Sequence, residues 1–205
     1  MSFLQTLFGP SREEIWRQFA NAVGGNLTEG DFWKGGKVQA THGQWTVTLD
    51  TYTVSTGKST VTFTRMRAPY VNPDGFYFKI YRRGIFSNLG KLLGMQDVTV
   101  GDPPFDDAFI IQGNDEEKLC RLFANKKIRD LIDRQMEIQF CVRDDEENFW
   151  VGHKFPQGVD ELYFQDGGVI KDVDRLKLLY DLFSETLDEL VRIGSASQSD
   201  PGVKL

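Results

Sequence analysis

The sequence is poor in the residues that most catalytic and export signatures need. Only two cysteines occur, Cys120 and Cys141, and their spacing supports neither a disulfide framework nor a thiolate metal site, which fits a reducing compartment. The two histidines, His42 and His153, belong to no Gly-x-Ser-x-Gly elbow, His-Glu-x-x-His helix or Cys-His set. No stretch approaches the ~18 apolar residues that cross a bilayer, and no basic segment precedes a long apolar one near the start, so a cytoplasmic location is expected. Basic residues are in deficit, with 24 Lys and Arg against 30 Asp and Glu and a formal charge of -6. That balance argues against a nucleic-acid partner, because neutralising phosphates takes a basic surface. No cofactor and no metal site is expected. The acidic run Asp144-Asp145-Glu146-Glu147 lacks the spaced oxygens and the glycine turn of a calcium loop and reads as a solvated hairpin tip.

What is present is ample material for a core: 40% of the residues are hydrophobic and 13% aromatic, including 16 phenylalanines. Residues 1–10 form an apolar segment in which Phe3, Leu4, Leu7 and Phe8 recur at helical spacing. It is too short and uncharged for more than weak peripheral membrane contact, and docking on the protein's own core is the favoured reading. After Pro10, Ser11 and Glu14 form a capping box, Ile15, Trp16, Phe19 and Ala20 form one apolar face, and Gly24-Gly25 closes a helix. Residues 37–83 read as an antiparallel meander. Trp45, Val47 and Leu49 alternate with threonines, Val38 and Ala40 pair with them, and the opposite parity of Tyr52 and Val54 predicts a bulge near Asp50-Thr51. Ser55-Thr56-Gly57-Lys58-Ser59 mimics the end of a phosphate loop. Tyr52 replaces the upstream glycine and a strand follows instead of a helix, so it is a hairpin turn.

The densest signal lies at residues 92–134. Val98 and Val100 suggest a short strand, Gly101-Asp102-Pro103-Pro104 a turn, and Phe105, Phe109, Ile110 and Ile111 a second strand ending at Gly113. Asn114 and Glu117 predict a capped helix to about Asn125, and a shorter one follows with Ile128, Leu131 and Ile132. Met136, Ile138, Phe140 and Val142 predict a strand, Phe149, Val151 and His153 its return, and Glu161 to Gln165 another. A long helix from about Asp172 to Ile193 carries Leu176, Leu179, Phe183, Leu187 and Leu190 on one face. The expected fold is α+β: a curved antiparallel sheet of about seven to nine strands packed on an N-terminal, a middle and a long C-terminal helix. Residues 11–193 form one domain, and 194–205, small and polar, a disordered tail.

The run GMQDVTVGDPPFDDAFIIQGNDEEK, with Gln96-Asp97, Gly101-Asp102, Phe105-Asp106, Phe109 and Gly113, resembles a family of uncharacterised, mainly bacterial domains. The resemblance implies no chemistry. Candidate contact residues are Arg82, Arg83, Phe86 and Lys91, which flank or belong to an apolar connector, and Asp97, Asp102, Phe105 and Asp106 of the acidic loop. The aspartates also suit turn and amide-binding roles. The expected function is a non-catalytic binding or interaction module for a protein partner, using segments 3–8 and 85–93. A carrier of a small apolar ligand held between sheet and C-terminal helix comes second, and a hydrolase using acids of the 97–107 loop third. The oligomeric state is left open.

Overall fold

The computed structural model describes residues 10–30, 36–55, 57–84, 97–144 and 155–205. Ser11 accepts from the Glu14 amide and opens α1 (Arg12–Val23), which Gly24 ends at φ 66°. Eight strands follow in one sheet: β1 (Asn26–Thr28), β2 (Lys37–His42), β3 (Trp45–Ser55), β4 (Thr60–Val71), β5 (Phe78–Arg82), β6 (Phe109–Gly113), β7 (Gln139–Arg143) and β8 (Val159–Gly167). Between them lie α2 (Pro103–Ala108), α3 (Glu116–Ala124) and α4 (Lys126–Asp133), and α5 (Val173–Arg192) comes last. The expected α+β fold is the one observed: an open, wholly antiparallel sheet in the order β1-β2-β3-β4-β8-β7-β5-β6.

One sheet face carries Val38, Leu49, Met66, Phe164, Phe140, Ile80 and Ile111 as successive neighbours, and these join the helix residues in one core cluster. Aromatic rings bind its halves together. Phe105 packs on Phe109 at 4.7 Å and on Phe123 at 6.1 Å, Phe78 on Phe123 and Phe140 at 5.8 and 5.5 Å, and Phe140 on Phe183 of α5 at 5.4 Å. The rings between the sheet and α5 are thus packed against one another.

Several local expectations change. The meander stops at β4: β8 and β7 stand between β4 and β5, because alternation marks a segment as a strand without naming its neighbour. No bulge interrupts β3. Its register with β4 is continuous from Thr48↔Arg67 to Ser55↔Thr60, and Tyr52 has the other parity because it belongs to the outer face, stacked 5.3 Å from Phe63. Pro69 is a strand residue opposite Glu161, in a part of β4 beyond its last β3 partner, where one side needs no N–H. Phe105 lies on α2, started by Asp102 with two prolines in its first turn, not on a strand. Asp115 caps α3, while Asn114 accepts from the Tyr77 amide and donates to the Gly75 carbonyl. Met136 precedes β7 and is 82% exposed. The first residues after Gly194 pack on the domain. Ser195 and Ala196 are buried, Ser195 donates to Asp74, and the Ser197 amide donates to the Val71 carbonyl, so small polar residues here fill a seam between α5 and β4.

Candidate functional site

Of the acids singled out in the sequence, Asp102 and Asp106 are bound to backbone and Asp97 to a side chain. Asp102 accepts from the Phe105 amide at 3.4 Å as the α2 cap, and its other oxygen meets Arg129 Nε at 3.1 Å. Asp106 accepts from the amides of Val100 and Gly101 at 2.8 and 3.1 Å, and Asp97 accepts from the Gln112 side chain at 3.1 Å. Phe105 is buried between Phe109 and Phe123. The two arginines also serve the fold. Arg82 donates to the Asp133 and Gln135 carbonyls, both at 3.0 Å, finishing α4, and lies 4.6 Å over the Phe109 ring. Arg83 donates to the carbonyls of Asp106 and Phe109. Phe86 and Lys91 lie outside the described residues, as do segments 3–8 and 85–93, the acidic run after Asp144 and His153. His42 meets Asp188 at 2.9 Å and stacks on Trp45.

The structure thus brings Asp102, Asp106, Phe105 and Arg83 together around α2, with Arg82 near by at the end of α4. Asp102 and Phe105 border a cleft of about 200 Å³ whose other walls include Lys126, Arg129, Asp130 and Asp133. Its charges are matched in place, since Lys126 holds Asp130 at 2.6 Å and Arg82 approaches Asp133 at 3.5 Å. Each of the cleft's three acids thus faces a basic side chain. Among the described residues no group of three or more His, Cys, Asp or Glu is placed to hold a metal ion.

Two features of the outer sheet face are absent from the sequence reading. The first is a line of charges across four strands. Arg65 is bidentate on Asp50 at 2.5 and 3.1 Å, Arg67 reaches Asp50 at 2.7 Å and lies 4.0 Å from Glu161, and Arg143 grips Glu161 at 2.7 Å. Arg143 also lies 3.2 Å over the Tyr163 ring, and Arg65 4.9 Å over Tyr52. Glu161 is 1% exposed, and burial pushes the Tyr163 phenol well above its ordinary pKa against the opposing charge of Arg143. Among the described residues, Glu161 Oε2 and Arg67 Nε find no hydrogen bond. Its members alternate with core residues along β3, β4, β7 and β8, a periodicity that was legible. Which strands are neighbours was not.

The second feature is the free end of the β3–β4 hairpin. β2 pairs with β3 only as far as Leu49, and β8 joins β4 only from Phe63, so among the described residues the ends of β3 and β4 form a two-stranded ribbon extending past their neighbours. One ribbon face is Thr51, Thr53, Ser55, Thr60, Thr62 and Thr64. The other is Tyr52 with Phe63 and Val54 with Val61, cross-strand partners in each case.

No family model, curated protein or solved structure shows a significant match to this chain.

Val54 and Val61 are each 42% exposed, and with Met136 they are the exposed large hydrophobic residues among those described. Phe63 of the same ribbon also lines a hollow of about 70 Å³ with Glu137, Gln139, Gln165, Asp166 and Gly167, next in sequence to Met136. The exposed apolar side chains thus gather at one end of the sheet. No helix among the described residues is long and apolar enough to cross a membrane.

Proposed function

We propose that this chain is a non-catalytic binding or interaction module whose contact surface is the outer face of the β3–β4 ribbon. The observation that carries the reading is the exposed Val54–Val61 pair, continuous with Tyr52 and Phe63, on a ribbon extending past the rest of the sheet. A two-stranded apolar surface of this kind gains free energy when a partner covers it. The acidic loop supports the same reading from the other side, because Asp102 and Asp106 are occupied by backbone amides and by Arg129. A carboxylate whose oxygens are engaged in this way is tied to the loop's own architecture.

The test is site-specific photocrosslinking in cells. A photoreactive side chain at Val54, Val61 or Met136 is expected to give discrete adducts that the same group at the exposed Gln18 of α1 does not. Equal labelling from all four positions, or none from the ribbon, would sink the proposal.

A further inference from the structure

We infer that the hollow beside the ribbon receives a cationic side chain, Lys or Arg, from an otherwise apolar segment of the partner protein. The inference rests on the ribbon being the contact surface and adds the chemistry of what lands there.

The hollow has room for roughly two water molecules, the scale of one side-chain head. Its walls hold an aromatic ring, Phe63, two carboxylates, Glu137 and Asp166, and no Lys or Arg. Asp166 is held by Arg175 at 2.6 Å, and that arginine is further engaged with the Gln135 side chain and the Glu137 carbonyl. The Glu137 carboxylate has no ion pair among the described residues, so the hollow carries one uncompensated negative charge beside the ring.

A cation inserted there meets the Glu137 carboxylate and the face or edge of Phe63, while its aliphatic stem covers the ring. The amide side chains favour a peptide as the bearer of that cation. Gln165 Oε1 accepts from both Tyr52 and Tyr163, and its Nε2 donates to Gln139 Oε1. This chain of bonds fixes the Gln139 amide and leaves its Nε2 to donate to a main-chain carbonyl, having no partner among the described residues. Val54, Val61 and Met136 then lie where apolar neighbours of the cation would rest. The formal charge of -6 adds a long-range attraction for a cationic segment. An acidic segment would face an unpaired carboxylate with nothing to neutralise it.

The experiment uses the full chain, ¹⁵N-labelled, titrated with three short capped peptides that are identical except for a central Arg, Gln or Glu between valines. The Arg peptide is expected to shift the amides of Phe63, Gln139, Gln165 and Gly167 and to bind roughly threefold to fivefold tighter than the Gln peptide, with the Glu peptide weakest. Glu137→Gln should erase that preference while leaving affinity for the Gln peptide unchanged. Its undisturbed amide spectrum would show that the fold is kept. Equal binding of all three peptides at these amides would overturn the cationic inference and leave the contact surface standing. Failure of every peptide to shift these amides would overturn the inference as well, and crosslinking from Val54 and Val61 would then decide separately on the ribbon.

Discussion

Single carboxylates do three different jobs in this molecule, and their surroundings tell them apart. Asp102 and Asp106 hold backbone. Alanine at either should cost about 1–3 kcal/mol by leaving amide donors unmatched, read as a lower urea midpoint. Glu161 holds charge. Replacing it by Gln strands Arg143 and Arg67 in a buried place, and about 3–5 kcal/mol of stability should go with it. If E161Q unfolds at the same urea concentration as the parent, the charge line is not part of what holds the sheet. Asp160 is the third kind. Burial raises its pKa above the ordinary carboxylate value against the hydrogen bond from Asn72, and the charge of Asp144 adds to the rise. The folded chain therefore takes up this proton before the unfolded one does. The stabilisation is complete below the free-Asp value of ~3.9 and is lost as pH rises through the raised folded value. D160N should accordingly be more stable than the parent at neutral pH, with the advantage vanishing below pH ~4, as paired urea titrations at the two pH values would show.

At the scale of elements, caps and close approaches decide where each piece lies. Ser11, Asp102, Asp115, Asn125 and Asp172 start the five helices described, each accepting from an amide in the first turn. Gly113 ends β6 where α3 crosses it. A Cβ at that position would lie 2.5 Å from the Tyr77 carbonyl oxygen and 3.0 Å from Leu119 Cδ1. Gly113→Ala should thus push α3 off the sheet at a cost of about 1–3 kcal/mol, seen in thermal unfolding; an unchanged midpoint would contradict this packing. The shift from Asn114 to Asp115 as the α3 cap has the same origin. Asn114 is claimed by Tyr77 and Gly75, a demand that only the folded neighbour creates.

For the whole molecule, the sheet has one face in the core and one carrying charges, and its ribbon extends past both. Replacing Val54 and Val61 together by Thr keeps β-branched side chains on exposed positions. Stability should change by no more than about 0.5 kcal/mol while crosslinking from Met136 is lost. A double variant that unfolds more easily yet still crosslinks would place these valines in the fold and not in the contact.

Local chemistry was enough for much of this protein. Alternation of period two and the 3.6-residue stripe marked six of the eight strands over most of their length and four of the five helices, because each depends on neighbours a few residues away. β1 is too short to alternate, and α2 hid in a run of prolines and apolar residues that also suits a turn and a strand. The turn roles of Asp102 and Asp106 were legible for the same local reason. The order of strands, the charge line from Arg65 to Arg143, the seam that takes up Ser195 and Ala196, and the ribbon whose tip has no strand neighbour among the described residues all depend on partners tens of residues away. Pairing register and loop closure settle those partners, and they act only once the chain has folded.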